Sequence, residues 1–103
     1  MAAFLTAGCV TEKAPPTEAE AYIKRGLTYV SKGQYDDAIA DFNKALEMNP
    51  QLAEAYSARG FAYESKGQYG QAIADFTKAI EINPSYALGY YNRGVAYGTK
   101  GRQ

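Results

Sequence analysis

The chain has 103 residues, of which 47% are hydrophobic, with ten tyrosines, one cysteine and no histidine. Eleven basic and eleven acidic residues cancel, which leaves no electrostatic footprint for a nucleic acid, and no run of about twenty apolar residues is present to span a bilayer. Without histidine, nucleophile–base pairs built on it are excluded, and a lone thiol near the N-terminus leaves ordinary zinc chemistry without ligands.

The first stretch, "MAAFLTAGCV", places Thr6, Ala7 and Gly8 before Cys9. It resembles the end of a bacterial lipoprotein signal peptide, in which small residues lead to a cysteine that is acylated. Eight residues precede Cys9, with no basic start and no full apolar core, so the resemblance implies a chain that begins inside such a signal. On that reading Cys9 carries the lipid anchor. Val10 in place of Asp after it implies the outer membrane, on the periplasmic side of the cell envelope. The alternative is a frayed tail with an incidental cysteine, and a cytoplasmic protein. "TEKAPPTE" (Thr11–Glu18) then reads as an extended tether because of its two prolines. Residues 1–18 are thus set apart from one domain over 19–103.

From residue 19 the chain repeats with a period of 34. Residues 19–52 and 53–86 are identical at 22 of 34 positions, and 87–103 begins a third copy with Ala87, Tyr90, Arg93, Gly94, Ala96, Tyr97, Lys100 and Gly101. Within 53–86, Tyr56, Gly60 and Tyr63 recur at helical spacing on one face. Gly67 punctuates, and a second helical pattern carries Ala72, Phe76, Ala79 and Ile80 until Asn83-Pro84 stops it. Each unit is therefore helix, tight turn, helix, stop. Small residues facing bulky ones let two antiparallel helices interlock, and each hairpin needs a neighbour to cover its other side. Helices are expected near 19–32, 36–48, 53–66, 70–82 and 87–100, an all-α chain.

These residues carry a resemblance to the tetratricopeptide repeat (TPR) family, whose unit has an aromatic, Gly, Tyr, Ala, an aromatic, Ala and Pro at fixed offsets. The first unit supplies Tyr22, Gly26, Tyr29, Ala38, Phe42, Ala45 and Pro50; the second supplies Tyr56, Gly60, Tyr63, Ala72, Phe76, Ala79 and Pro84. The half unit supplies Tyr90, Gly94 and Tyr97, so the match covers about four fifths of the chain. Where that pattern usually has Leu before the Gly, this chain has Arg25, Arg59 and Arg93. The resemblance implies a solenoid of about two and a half helix hairpins in a right-handed superhelix, whose first helices line a concave surface.

By that resemblance the groove positions are Ile23, Leu27, Val30, Ser57, Phe61, Glu64, Tyr91 and Val95, a mostly apolar set suited to an extended or helical peptide. Some family members grip the acidic tails of chaperones with a clamp of basic residues and Asn. The clamp positions here are Ile23, Leu27, Ala58, Leu88 and Asn92, none of them basic, so an acidic-tail adaptor is disfavoured. Tyr22, Tyr29, Tyr56, Tyr63, Tyr90 and Tyr97 belong to the repeat core, whereas Tyr91 lies off that pattern. The bland reading of the groove is that curvature and neighbouring side chains partly cover it.

No enzyme, cofactor or metal is expected. Asp36-Asp37 sits at a helix start, where acids favour the dipole, and Glu47 and Glu81 are equivalent repeat positions on solvated faces. Two functions stay open: an adaptor that receives a peptide or partner protein, and a structural subunit that assembles with itself or a larger complex. The second rests on helix 87–100, which carries Leu88, Tyr90, Tyr91, Val95 and Tyr97 and is weakened by Gly94 and Gly98, each by about 1 kcal/mol relative to Ala. An unpaired buried Arg is costly, so salt bridges are expected across successive hairpins, Arg59 with Asp41 and Arg93 with Asp75. Pairing inside each hairpin (Arg25 with Asp41, Arg59 with Asp75) is the competing arrangement.

Overall fold

The computed structural model describes residues 17–85 and 87–100, without the side chains of 87–91. Five helices follow one another: α1 (Glu18–Ser31), α2 (Tyr35–Met48), α3 (Ala53–Ser65), α4 (Tyr69–Ile82) and α5 (Ala87–Lys100). Each packs on its successor, while α1 touches α3 and α3 touches α5, so the odd-numbered helices lie side by side. The architecture is all-α, two hairpins and the first helix of a third.

Local chemistry sets the boundaries. Thr17 accepts a hydrogen bond from the Glu20 amide, and Glu20 accepts one in return from the Thr17 amide, which closes a capping box. The segment expected as tether up to residue 18 therefore ends as a helix cap and first turn. The "SKGQY" turns close both hairpins in one way. Gly33 and Gly67 hold φ of 75° and 81°, a backbone region costly for residues with a Cβ. There the Gln34 and Gln68 amides donate back to the carbonyls of Tyr29 and Tyr63, and the Gly amides donate to Val30 and Glu64. These are Schellman closures that satisfy carbonyls a helix end would leave open. At the other ends Asn49 and Asn83 leave the helical region before Pro50 and Pro84, and their side chains accept from the Gln51 and Ser85 amides.

The core forms along the hairpin seams. Phe42 and Phe76 are fully buried, set among alanines such as Ala38, Ala45, Ala72 and Ala79. A Cβ built on Gly26 would lie 2.5 Å from Phe42, and one on Gly60 would lie 2.7 Å from Phe76. Real Cβ atoms do not approach so closely, so those glycines are what let each ring enter. Tyr29 and Tyr63 pack on the two core clusters. Tyr97 does not share that burial, being 58% exposed.

Two of the three recurring arginines, Arg25 and Arg59, pair inside their hairpins, which corrects the expected bridge of Arg59 to Asp41 and gives Asp75, expected for Arg93, to Arg59. Arg25 donates to both oxygens of Asp41 at 2.8 and 2.7 Å, and Arg59 to both oxygens of Asp75 at 2.8 Å. Arg59 is therefore not the partner of Asp41. The guanidinium groups are steered by the tyrosines three before and four after them: Arg25 stands 5.7 and 5.9 Å from the rings of Tyr22 and Tyr29, and Arg59 stands 5.6 and 5.9 Å from Tyr56 and Tyr63. That position faces the acid of the same hairpin, and Asp41 has both oxygens occupied by Arg25. The link between hairpins uses a different residue. Arg59 donates to Asn43 at 2.7 Å, and Arg93 reaches Thr77, the equivalent position, at 3.5 Å. A salt bridge between Lys66 and Asp36 adds a second tie between the hairpins.

Candidate functional site

The first helix of each unit carries a large apolar residue that the seam does not bury. Leu27 on α1, Phe61 on α3 and Val95 on α5 occupy one repeat position and are 42%, 45% and 41% exposed. A residue one place after each packing glycine points away from the hairpin partner, which explains why Gly26 and Gly60 are covered while Leu27 and Phe61 are not. The row is thus built into the repeat rather than scattered over the surface.

Leu27 and Phe61 form two walls of an open groove of about 460 Å³, completed by Val30, Glu54, Ser57, Ala58 and Asn92. It adjoins a smaller cavity of about 190 Å³ toward α1, lined by Glu20, Ile23, Lys24, Leu27 and Glu54. Of the residues expected to line a concave groove, Leu27, Val30, Ser57 and Phe61 come together in the larger space. Ile23 is almost wholly buried and reaches only the smaller one. Glu64 and Val95 line neither, and on the α5 side the wall is Asn92. The side chain of Tyr91 lies outside the described residues, as does Cys9. Ala58 and Asn92, named above only as clamp positions, also line the larger space, and Glu54 was not among the expected lining. The signal for Glu54 was available, since Glu20 and Glu54 are repeat equivalents one turn before the buried position at Ile23 and Ser57.

Polar groups in this groove are few. Ser57 is only 4% exposed and lines this space, and among the described residues no buried side-chain polar atom is left without a hydrogen-bond partner. The Glu54 carboxylate is exposed and forms no salt bridge there. Glu64, which stands at the repeat position of Val30, has its pKa raised because partial burial penalises the charged carboxylate. The arginines lie elsewhere: hydrogen bonds to Asp41 and Asp75 raise the pKa values of Arg25 and Arg59, so both stay charged and structural. Among the described residues no cluster of three His, Cys, Asp or Glu could hold a metal, and no helix is long and apolar enough to cross a membrane.

Comparison with known proteins agrees with this geometry. The family model described as "TPR repeat" matches residues 26–67 and 65–101. No curated protein matches the chain. Among solved structures, the second TPR of Spaghetti (RPAP3) bound to the HSP90 peptide SRMEEVD superposes with a TM-score of 0.80 at 26% identity. That match covers 84% of this chain and 81% of that one. The crystal structure of MamA protein gives 0.79 at 34% identity over 84% of this chain and 47% of that one, so this chain spans about half of MamA. The TPR2B-domain:pHsp70-complex of yeast Sti1 gives 0.75 at 29% identity, covering 77% and 63%. The repeat register, the helix hairpins and the family match together establish that the chain belongs to the tetratricopeptide repeat family.

Proposed function

We propose that this chain is a non-catalytic protein-interaction module that receives a peptide or a segment of a partner protein in the groove between α1, α3 and α5. The observation that carries this reading is the exposed Leu27–Phe61–Val95 row, repeated in register, with Leu27 and Phe61 walling a groove of about 460 Å³. Apolar side chains of a peptide gain about 25 cal/mol per Å² on leaving water, and a preformed groove spares the cost of ordering a new surface. Complexes of similar structures with HSP90 and Hsp70 peptides support the same mode of use. The test is a display library of random peptides panned on the chain and on Phe61→Asp. Phe61 is exposed, so the variant keeps its fold, which circular dichroism checks. Peptides retained by the chain and lost by the variant are the expected result; a variant that retains the same peptides overturns the groove.

A second reading is favoured by α5. A Cβ at Gly94 would meet no atom within 4 Å, unlike Gly26 and Gly60, and Tyr97 is the most exposed of the large hydrophobic residues described. On this reading the face of α5 around Gly94 and Tyr97 packs on another copy or a larger complex. Sedimentation across protein concentration tests it, and a monomer throughout removes the homo-oligomer. A lipid on Cys9, with an envelope location, is a separate proposal drawn from the sequence before the domain. Intact mass of the protein expressed with its native upstream residues decides it, because one acyl chain binds membranes only marginally and two anchor firmly.

A further inference from the structure

We infer that the groove selects a partner segment in which a basic residue, arginine above all, stands beside an apolar anchor, and that it rejects acidic tails. This rests on the groove reading above and adds the chemistry of the occupant.

The argument is one of charge and hydrogen-bonding complementarity. Among the described residues, the charged side chain in the larger space is Glu54, which forms no salt bridge, and no lysine or arginine lines that space. The Ser57 hydroxyl and the side-chain amide of Asn92, which line the same space, add two groups able to accept a hydrogen bond. Around them lie Leu27 and Phe61. A guanidinium presents five donors on a weakly hydrated plane and stacks on aromatic faces, while its methylene stem covers apolar surface. Such a group pairs with the carboxylate of Glu54 and has donors left over for the other acceptors that line the space. An acidic tail does the reverse: its carboxylates meet Glu54 and find no cation in the larger space. One cation, Lys24, lines the adjoining smaller cavity, where Glu20 and Glu54 line the same space. Similar TPR structures hold the peptide SRMEEVD, which has three acids among its last four residues, whereas the charged residue lining this groove is itself an acid.

The test uses two display libraries of apolar and small residues that differ at one fixed central position, Arg in one and Glu in the other. Both are panned on the full chain, on Phe61→Asp and on Glu54→Lys. Phe61-dependent binders are expected from the Arg library. Synthetic copies should lose about fivefold to tenfold in affinity when their Arg becomes Glu, as a solvent-accessible pair and its repulsive counterpart imply. The preference should shrink as salt rises and reverse on Glu54→Lys. Phe61-dependent binders drawn equally from both libraries, or a preference unmoved by Glu54→Lys, overturn the charge selection and leave the groove standing. Binders that ignore Phe61, or none from either library, overturn the groove and the inference with it.

Discussion

At Gly60 an added Cβ would stand 2.7 Å from the ring of Phe76, whereas one repeat later, at Gly94, it would meet nothing within 4 Å. Both glycines follow an arginine, precede a large apolar residue and lie within a helix. They differ in what faces them. At Gly60 the glycine trades helix propensity for the entry of a fully buried aromatic ring, and at Gly94 the same residue leaves a bare patch beside an exposed Tyr97. A repeat residue thus has no fixed energetic value. Its worth is set by the neighbouring helix.

The strongest way to break that comparison is to remove the ring. Phe76→Ala should destabilise the chain by about 3–5 kcal/mol, the usual cost of emptying a buried aromatic site, measured by urea unfolding. In that background Gly60→Ala should become neutral or favourable, because the clash has gone. A double-mutant cycle with no coupling between positions 60 and 76 would contradict the packing account.

Arg59→Ala should come next. Arg59 is 21% exposed at its side chain, bonds both oxygens of Asp75 and reaches Asn43 of the preceding hairpin. Its loss leaves a buried acid unpaired and is expected to cost about 2 kcal/mol. Arg25, 61% exposed and without a hairpin before it among the described residues, should cost less than Arg59. Equal losses in paired unfolding curves would show that position in the stack does not matter.

The glycines themselves follow. Gly60→Ala gains about 1 kcal/mol of helix propensity but forces Phe76 from its seat, at about 1–3 kcal/mol, for a net loss near 1 kcal/mol. Gly94→Ala keeps the gain alone and should raise stability by up to about 1 kcal/mol. Changes of the same sign in thermal melts would erase the distinction.

The smallest effect concerns Glu64, whose counterpart one repeat earlier is Val30. Partial burial raises its pKa in the folded chain. The unfolded chain therefore releases this proton at lower pH than the folded one, and stability falls as pH rises through the folded pKa. Glu64→Gln should remove that decline, slightly stabilising the chain at neutral pH and changing nothing well below the carboxylate range. A benefit that persists unchanged into acid, read from unfolding curves across pH, would assign the effect to something other than charge burial.

Much of this molecule was legible in its order of residues, for a definite reason. A period of 34 with Gly, Phe and Ala at matching offsets, positive-φ glycines in "SKGQY" and Asn-Pro stops are local or repeating signals, so helix ends and hairpin seams follow from them without tertiary knowledge. Even the capping box at Thr17 and Glu20 was written in the chain, in the segment read as tether. Two things were decided only by packing. Asp41 and Asp75 are both plausible partners for Arg59 along the sequence, and the choice of Asp75 depended on where Tyr56 and Tyr63 hold the guanidinium in space. Likewise Ile23, Leu27 and Val30 share one apolar character, yet the approach of α3 leaves Ile23 almost wholly buried while Leu27 stays open. A repeat pattern specifies which faces are apolar; only the neighbouring helix settles which of those side chains remain for a partner.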